Sequence, residues 1–213
     1  MNNGVFAKFA GVGFSSDGSC AYVTFSFEDG GEESLSLLSD KYAALVRGRK
    51  EFTREEYVEL TYHSHLSRAI AFSLRSLSCA PCTRLSMKQK LRKRGFGADI
   101  ADDTLAYLLE HGYIDEKKQI VADTNSFLSK KYGPLKIKQK LIGKGYSNEL
   151  VGRVMLKLEG RDFTRACRDV ALEHGTGNPF DPKDRERTYA YLTRCGYDSD
   201  CIRRVLSILY ADV

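Results

Sequence analysis

The chain has 213 residues, enough for one large domain or a row of small ones; 42% hydrophobic content supplies cores, and only four prolines argue against disorder. No run approaches the roughly 18 apolar residues that would span a membrane, and no basic and then apolar leader opens the chain, so a cytoplasmic location is expected. The formal charge of +5 is unevenly spread, with six basic against ten acidic side chains in residues 1–66 and 27 against 18 in residues 67–213.

Residues 1–53 read as β structure. Val5, Ala7 and Phe9 alternate with Phe6, Lys8 and Ala10, and Val23, Phe25 and Phe27 alternate with Tyr22, Thr24 and Ser26. A period of two marks half-buried strands. Ser15-Ser16-Asp17-Gly18 supplies the turn between them, and Glu28-Asp29-Gly30-Gly31 follows the second. The pattern predicts a hairpin, with 35–38 as a candidate third strand and a short helix near 40–47. A sheet this small needs a helix over its apolar face.

From residue 54 the period becomes helical. Leu91-Arg92-Lys93-Arg94-Gly95-Phe96, Leu141-Ile142-Gly143-Lys144-Gly145-Tyr146 and Leu192-Thr193-Arg194-Cys195-Gly196-Tyr197 align without gaps, their glycines 50 and then 51 residues apart. That period belongs to repeat architectures. Each segment fits a helix ended by a left-handed glycine, with the following aromatic folded back on the leucine. Leu108, Gly112 and Tyr113 repeat the spacing a fourth time. Upstream, Leu85, Met87 and Leu91 match Leu135, Ile137 and Leu141, with Thr83 as a cap and Pro134 in a first turn. Downstream, Gly97, Ser147 and Asp198 stand at cap positions. Ile100, Leu105 and Leu108 then match Leu150, Met155 and Leu158, and Cys201, Leu206 and Leu209. A helix precedes each pair, at about 54–78, 116–130 and 161–174. The expected fold is mainly α: three tandem three-helix repeats (54–112, 113–159, 160–213) in an elongated, curved array after a small β-rich segment (1–53).

Two acid-free basic runs fall at matched positions. Residues 84–94 hold Arg84, Lys88, Lys90, Arg92, Lys93 and Arg94, and residues 130–144 include Lys136, Lys138, Lys140 and Lys144. Arg203 and Arg204 are further candidates, in the third repeat. One such run is ordinarily a solvated helix face; recurrence favours a polyanionic partner.

These features resemble the RecX family. The resemblance spans roughly 66–210. Its most specific piece is Tyr132-Gly133-Pro134-Leu135-Lys136-Ile137, leading to Leu141 and Lys144-Gly145-Tyr146. Further pieces are Ala69-Ile70-Ala71-Phe72-Ser73-Leu74, Leu109-Glu110-His111-Gly112-Tyr113-Ile114-Asp115, Arg187-Thr188-Tyr189-Ala190-Tyr191-Leu192 and Ile202-Arg203-Arg204-Val205-Leu206. Departures occur at Cys82-Thr83, at Lys117-Lys118-Gln119-Ile120 and at Cys195. The resemblance implies a monomeric, non-enzymatic regulator of the RecA recombinase in homologous recombination, DNA repair and the SOS response. Such a protein binds the recombinase filament on single-stranded DNA, with possible weak non-specific DNA binding, and inhibits its ATPase, strand-exchange and co-protease activities.

No other chemistry competes. Cys79-Ala80-Pro81-Cys82, with His63 and His65 upstream, lacks the second ligand pair of a zinc site and the βαβ setting of a redox motif, so the six cysteines read as reduced thiols. Gly11-Val12-Gly13 is not a dinucleotide fingerprint, no G-x-x-x-x-G-K-S/T occurs, and the four histidines join no nucleophile. No cofactor is expected. His111 should favour the dipole at a helix end. Phe96, Tyr113, Tyr146 and Tyr197 are expected to pack rather than stack on bases. The alternative function is direct DNA binding by helix-turn-helix units. Against it, Ala98-Asp99-Ile100-Ala101-Asp102-Asp103 opens the would-be reading helix with acids.

Overall fold

The computed structural model describes residues 4–175 and 182–210. Four antiparallel strands, β1 (Ala7–Phe14), β2 (Cys20–Ser26), β3 (Glu32–Leu38) and β4 (Glu51–Phe52), form a sheet of order β3-β2-β1-β4. The alternation in β2 works as expected: Ala21, Val23 and Phe25 are buried while Tyr22 faces out. β1 runs further than its alternation suggested, through Gly11-Val12-Gly13, because the register with β2 shifts between Phe9 and Gly11. Such a bulge breaks the period of two. β4 was not expected. Two residues carry no periodicity, and Glu51-Phe52 becomes a strand only by pairing with Lys8 and Ala7.

Helix α1 (Ser39–Leu45) leads through β4 to α2 (Arg54–Cys79). Thr53 starts α2 with a capping box: its hydroxyl accepts from the Glu56 amide at 3.3 Å, and the Glu56 carboxylate accepts from the Thr53 amide at 2.8 Å. Tyr57 and Leu60 of α2 cover the sheet, and Phe25 meets Phe52 and Tyr57 edge-on at ring separations of 5.3 and 5.4 Å. The helical cover that a small sheet requires is therefore the first turns of α2.

The remaining helices come in threes: α2 with α3 (Arg84–Lys93) and α4 (Ala98–Glu110); α5 (Glu116–Ser129), α6 (Pro134–Gly143) and α7 (Asn148–Glu159); then α8 (Thr164–His174), α9 (Pro182–Arg194) and α10 (Ser199–Leu209). Two compact units result, Met1–Ile114 and Asp115–Val213. In the first, Met87, Leu91, Ile100 and Leu108 build a helical core beside the sheet core. In the second, both triplets share one core: Ile137 and Leu141 belong to the same cluster as Leu192, Ile202 and Leu206.

All four glycine turns adopt positive φ, at 93° (Gly95), 70° (Gly112), 88° (Gly145) and 87° (Gly196). Each aromatic amide reaches back to the expected leucine carbonyl, as in Tyr113 to Leu108 at 2.8 Å and Tyr197 to Leu192 at 3.3 Å. A fifth turn of this kind ends α5 without glycine. Lys131 takes φ 55°, and the Tyr132 amide bonds the Phe127 carbonyl at 3.2 Å. The glycine pattern could not reveal it, since lysine stands where the left-handed residue falls.

Inside the second unit one of these turns does more than end a helix. The backbone of Cys195-Gly196 lies across the start of α6: the Gly133 amide donates to the Cys195 carbonyl at 2.8 Å and the Leu135 amide to the Gly196 carbonyl at 3.0 Å. The Tyr197 hydroxyl donates to the Lys131 carbonyl at 2.6 Å. A helix start leaves amides without intrahelical partners, and here a neighbouring turn accepts from them. The approach is so close that a Cβ on Gly133 would lie 2.3 Å from the Gly196 carbonyl carbon, and one on Gly196 would lie 2.2 Å from the Lys136 nitrogen. Tyr132-Gly133-Pro134 thus has a physical reason: proline suits the first helical position, and glycine admits the turn.

Candidate polyanion-binding faces

The expected caps are formed: the hydroxyls of Thr83 and Ser147 accept from the Ser86 and Leu150 amides at 3.2 and 3.3 Å, and the Asp198 carboxylate accepts from Cys201 at 2.8 Å. These caps start α3, α7 and α10, while α6 starts at Gly133 without a side-chain cap, its first amides bonded instead to the Cys195-Gly196 turn. Met87 and Leu91 anchor α3, Ile137 and Leu141 anchor α6, and the cations lie around these buried pairs.

Environments differ within each run. On α3, Lys88 is ion-paired with Asp102 and the Lys90 ammonium donates to the Ser76 hydroxyl at 2.8 Å. Arg84 is exposed, though engaged by neighbours. Arg92 and Lys93 are exposed and join no ion pair among the described residues, while the Arg94 guanidinium lies 6.0 Å from the Phe72 ring centre. On α6, Lys138 is exposed and Lys136 half-buried, neither in an ion pair among the described residues. Lys140 sits 5.1 Å from the Tyr132 ring centre, and Lys144 pairs with Asp123 at 2.6 Å, 5.6 Å from the Phe127 ring.

The repeat therefore extends to side chains. Arg94 and Lys144, 50 residues apart, each rest over a phenylalanine of the first helix in their triplet, within the range of cation–π attraction. Asp123 also accepts from the Tyr146 hydroxyl at 2.7 Å, and burial, aided by that carboxylate, pushes the Tyr146 phenol up. α10 is the counterpart of α4 and α7 rather than of α3 and α6. It packs on α8 and α9 as α7 packs on α5 and α6. Arg203 pairs with Asp200 at 3.0 Å, and Arg204 is exposed.

Acids on the neighbouring helices thus neutralise part of each run. Asp102 of α4 holds Lys88, and Asp103 accepts from the Tyr62 hydroxyl, which lifts that phenol to about 12. The open positive charge concentrates at Arg92, Lys93 and Lys138.

The aromatic residues divide. Tyr146 and Tyr197 are buried and Phe96 is half-buried against Phe72. Tyr113 breaks the expectation of packing: it is 49% exposed, its ring near-parallel to and 6.3 Å from that of His111, which stacks on Tyr107 at 4.0 Å. The His111 Nδ1 lies 2.9 Å from the Tyr107 carbonyl at the end of α4, the placement expected of it. Of the C-x-x-C pair, Cys79 is exposed and Cys82 buried, and burial pushes the Cys82 thiol up. Cys167 and Cys201 are buried in the shared core and raised for the same reason. No described helix is long and apolar enough to cross a membrane.

A family model for the first three-helix domain of RecX matches residues 69–108, the end of α2 through most of α4. Regulatory protein RecX of Pseudomonas fluorescens is 28% identical over 125 residues, 58% of this chain and 80% of that protein. The protein of the same name from Halorhodospira halophila is 28% identical over 131 residues, 62% of this chain and 81% of its own. Among solved structures, a regulatory protein RecX aligns over 94% of this chain and 98% of its own with a TM-score of 0.75 at 15% identity. RecX from Lactobacillus salivarius covers 68% of this chain and 96% of its own, with a TM-score of 0.60 at 18% identity.

Proposed function

We propose that this chain, which is similar to the RecX family, binds a RecA-type recombinase filament on single-stranded DNA in the cytoplasm and lowers its ATP turnover, without catalysis of its own. The observation that carries this reading is the likeness of its helical repeats to proteins named as regulators. The exposed cations Arg92, Lys93 and Lys138 support it, because guanidinium and ammonium groups without an ion pair among the described residues suit a polyanionic partner. Binding along a filament opposes ATP turnover when it stabilises one arrangement of neighbouring subunits over those visited during the cycle.

The test is ATP hydrolysis by the cognate recombinase on single-stranded DNA, with and without the protein. Hydrolysis is expected to fall. Arg92→Glu/Lys93→Glu/Lys138→Glu should weaken that effect at least tenfold in the concentration required, and filament affinity should drop steeply as salt rises. These side chains are exposed, so the fold should survive. Unchanged hydrolysis at saturating protein would refute the reading. Tight, sequence-selective binding to duplex DNA would instead support helix-turn-helix recognition.

A further inference from the structure

Between α5 and α7 the second unit holds a groove of about 380 Å³ whose make-up the filament reading does not use. Its walls are two helical stripes. Ile120, Val121 and Leu128 come from α5, and Leu150, Val154 and Leu158 from α7, each set spaced by turns of a helix so that one face of each looks into the cleft. Ile120 and Leu158 are buried as floor, Leu128, Leu150 and Val154 are half-buried, and Val121 is 51% exposed. Four cations complete the lining: Lys117 in the first turn of α5, Arg153 and Lys157 on α7, and Arg161 just beyond it. No acidic side chain among the described residues lines the groove. Lys117, Lys157 and Arg161 join no ion pair among the described residues, and Arg153 meets only the exposed Glu149, one turn away at 2.6 Å.

We propose that this groove docks an acidic amphipathic helix of a protein partner. An aliphatic trough with a cationic rim complements a helix that has leucine-like residues on one face and carboxylates beside them. The lining on α5 runs from Lys117 to Leu128, about 18 Å of helix, which matches three turns of a bound segment. A nucleic acid fits less well, since bases stack on aromatic rings and no aromatic side chain among the described residues lines the cleft. A membrane surface also fits less well, because the apolar atoms are recessed between two helices rather than raised on a crest. This site is independent of α3 and of the exposed face of α6, so it stands or falls separately from the filament reading.

The experiment titrates the full-length protein against a fluorescein-labelled synthetic helix of about 16 residues, with leucines one turn apart and glutamates flanking them, read by fluorescence polarisation. A peptide of the same composition with its leucines scrambled is the control. The designed helix should bind at least tenfold more tightly than the scrambled one. Lys157→Glu/Arg161→Glu should weaken it at least tenfold, and so should Val121→Glu, whose exposed site leaves the fold intact by circular dichroism. Arg92→Glu/Lys138→Glu should leave this binding unchanged while weakening ATPase inhibition. Equal binding of both peptides would overturn the proposal, as would groove variants that bind like the wild type. So would groove variants that lose binding to single-stranded oligonucleotide or to phosphatidylserine vesicles while keeping the peptide.

Discussion

The turns at Gly95 and Gly196 have the same spelling, a leucine four residues before the glycine and an aromatic just after it. They also close in the same way. Gly95 and Gly196 donate to Arg92 and Thr193 at 3.0 and 2.9 Å, and Phe96 and Tyr197 to Leu91 and Leu192 at 3.2 and 3.3 Å. Their surroundings are opposite. Nothing lies within 4 Å of a Cβ added at Gly95, whereas one at Gly196 would strike the backbone of Lys136. Phe96 is half-buried, and Tyr197 is 1% exposed with its hydroxyl bonded to Lys131. One turn ends a helix. The other ends a helix and also accepts the first amides of another. The same local motif therefore carries different energies according to what packs on it.

Substitution should separate the two. Gly196→Ala adds a backbone clash to the left-handed strain and should destabilise the second unit by about 3 kcal/mol or more in urea unfolding. Gly95→Ala meets only the strain and should cost about 1 kcal/mol. Equal losses at both sites would erase the distinction.

Tyr197→Phe removes the buried bond to Lys131 and should cost about 1 kcal/mol. Tyr113→Phe, at the exposed counterpart, should stay within about 0.5 kcal/mol by the same measurement. A loss at Tyr113 matching that at Tyr197 would mean the Tyr107–His111–Tyr113 cluster is more than a surface contact. The smallest effect belongs to the turn that lacks glycine. Lys131→Gly relieves the positive φ but gives up an exposed ion pair with Glu173 at 2.5 Å. Such pairs are weak, so thermal unfolding should show a net gain of a few tenths of a kcal/mol.

The shared core of the second unit affects how function can be probed. Deleting the third triplet would strip Leu192, Tyr197 and Ile202 from the cluster that buries Ile137 and Leu141. Lost activity in such a truncation would report unfolding, so point charges such as Lys138 make the cleaner test.

Much of this molecule follows from local rules that the sequence states on its own. Helix ends are written in Leu91, Gly95 and Phe96 and their counterparts, because the left-handed φ selects glycine and the backbone bonds span only six residues. The caps at Thr83, Ser147 and Asp198 and the alternation of Ala21, Val23 and Phe25 are equally local. What needed the tertiary structure was everything set by distant partners. Glu51-Phe52 is a strand only because β1 lies beside it, and Lys131 is held left-handed where its neighbours would not select lysine. The basic runs looked uniform along the chain. Asp102 and Asp123, on other helices, decide that Lys88 and Lys144 are engaged while Lys138 stays open. The groove between α5 and α7 was illegible for the same reason: each helix contributes half of it. Apolar periodicity tells which face of a helix is apolar, but only packing decides whether a neighbour covers that face completely or leaves a cleft.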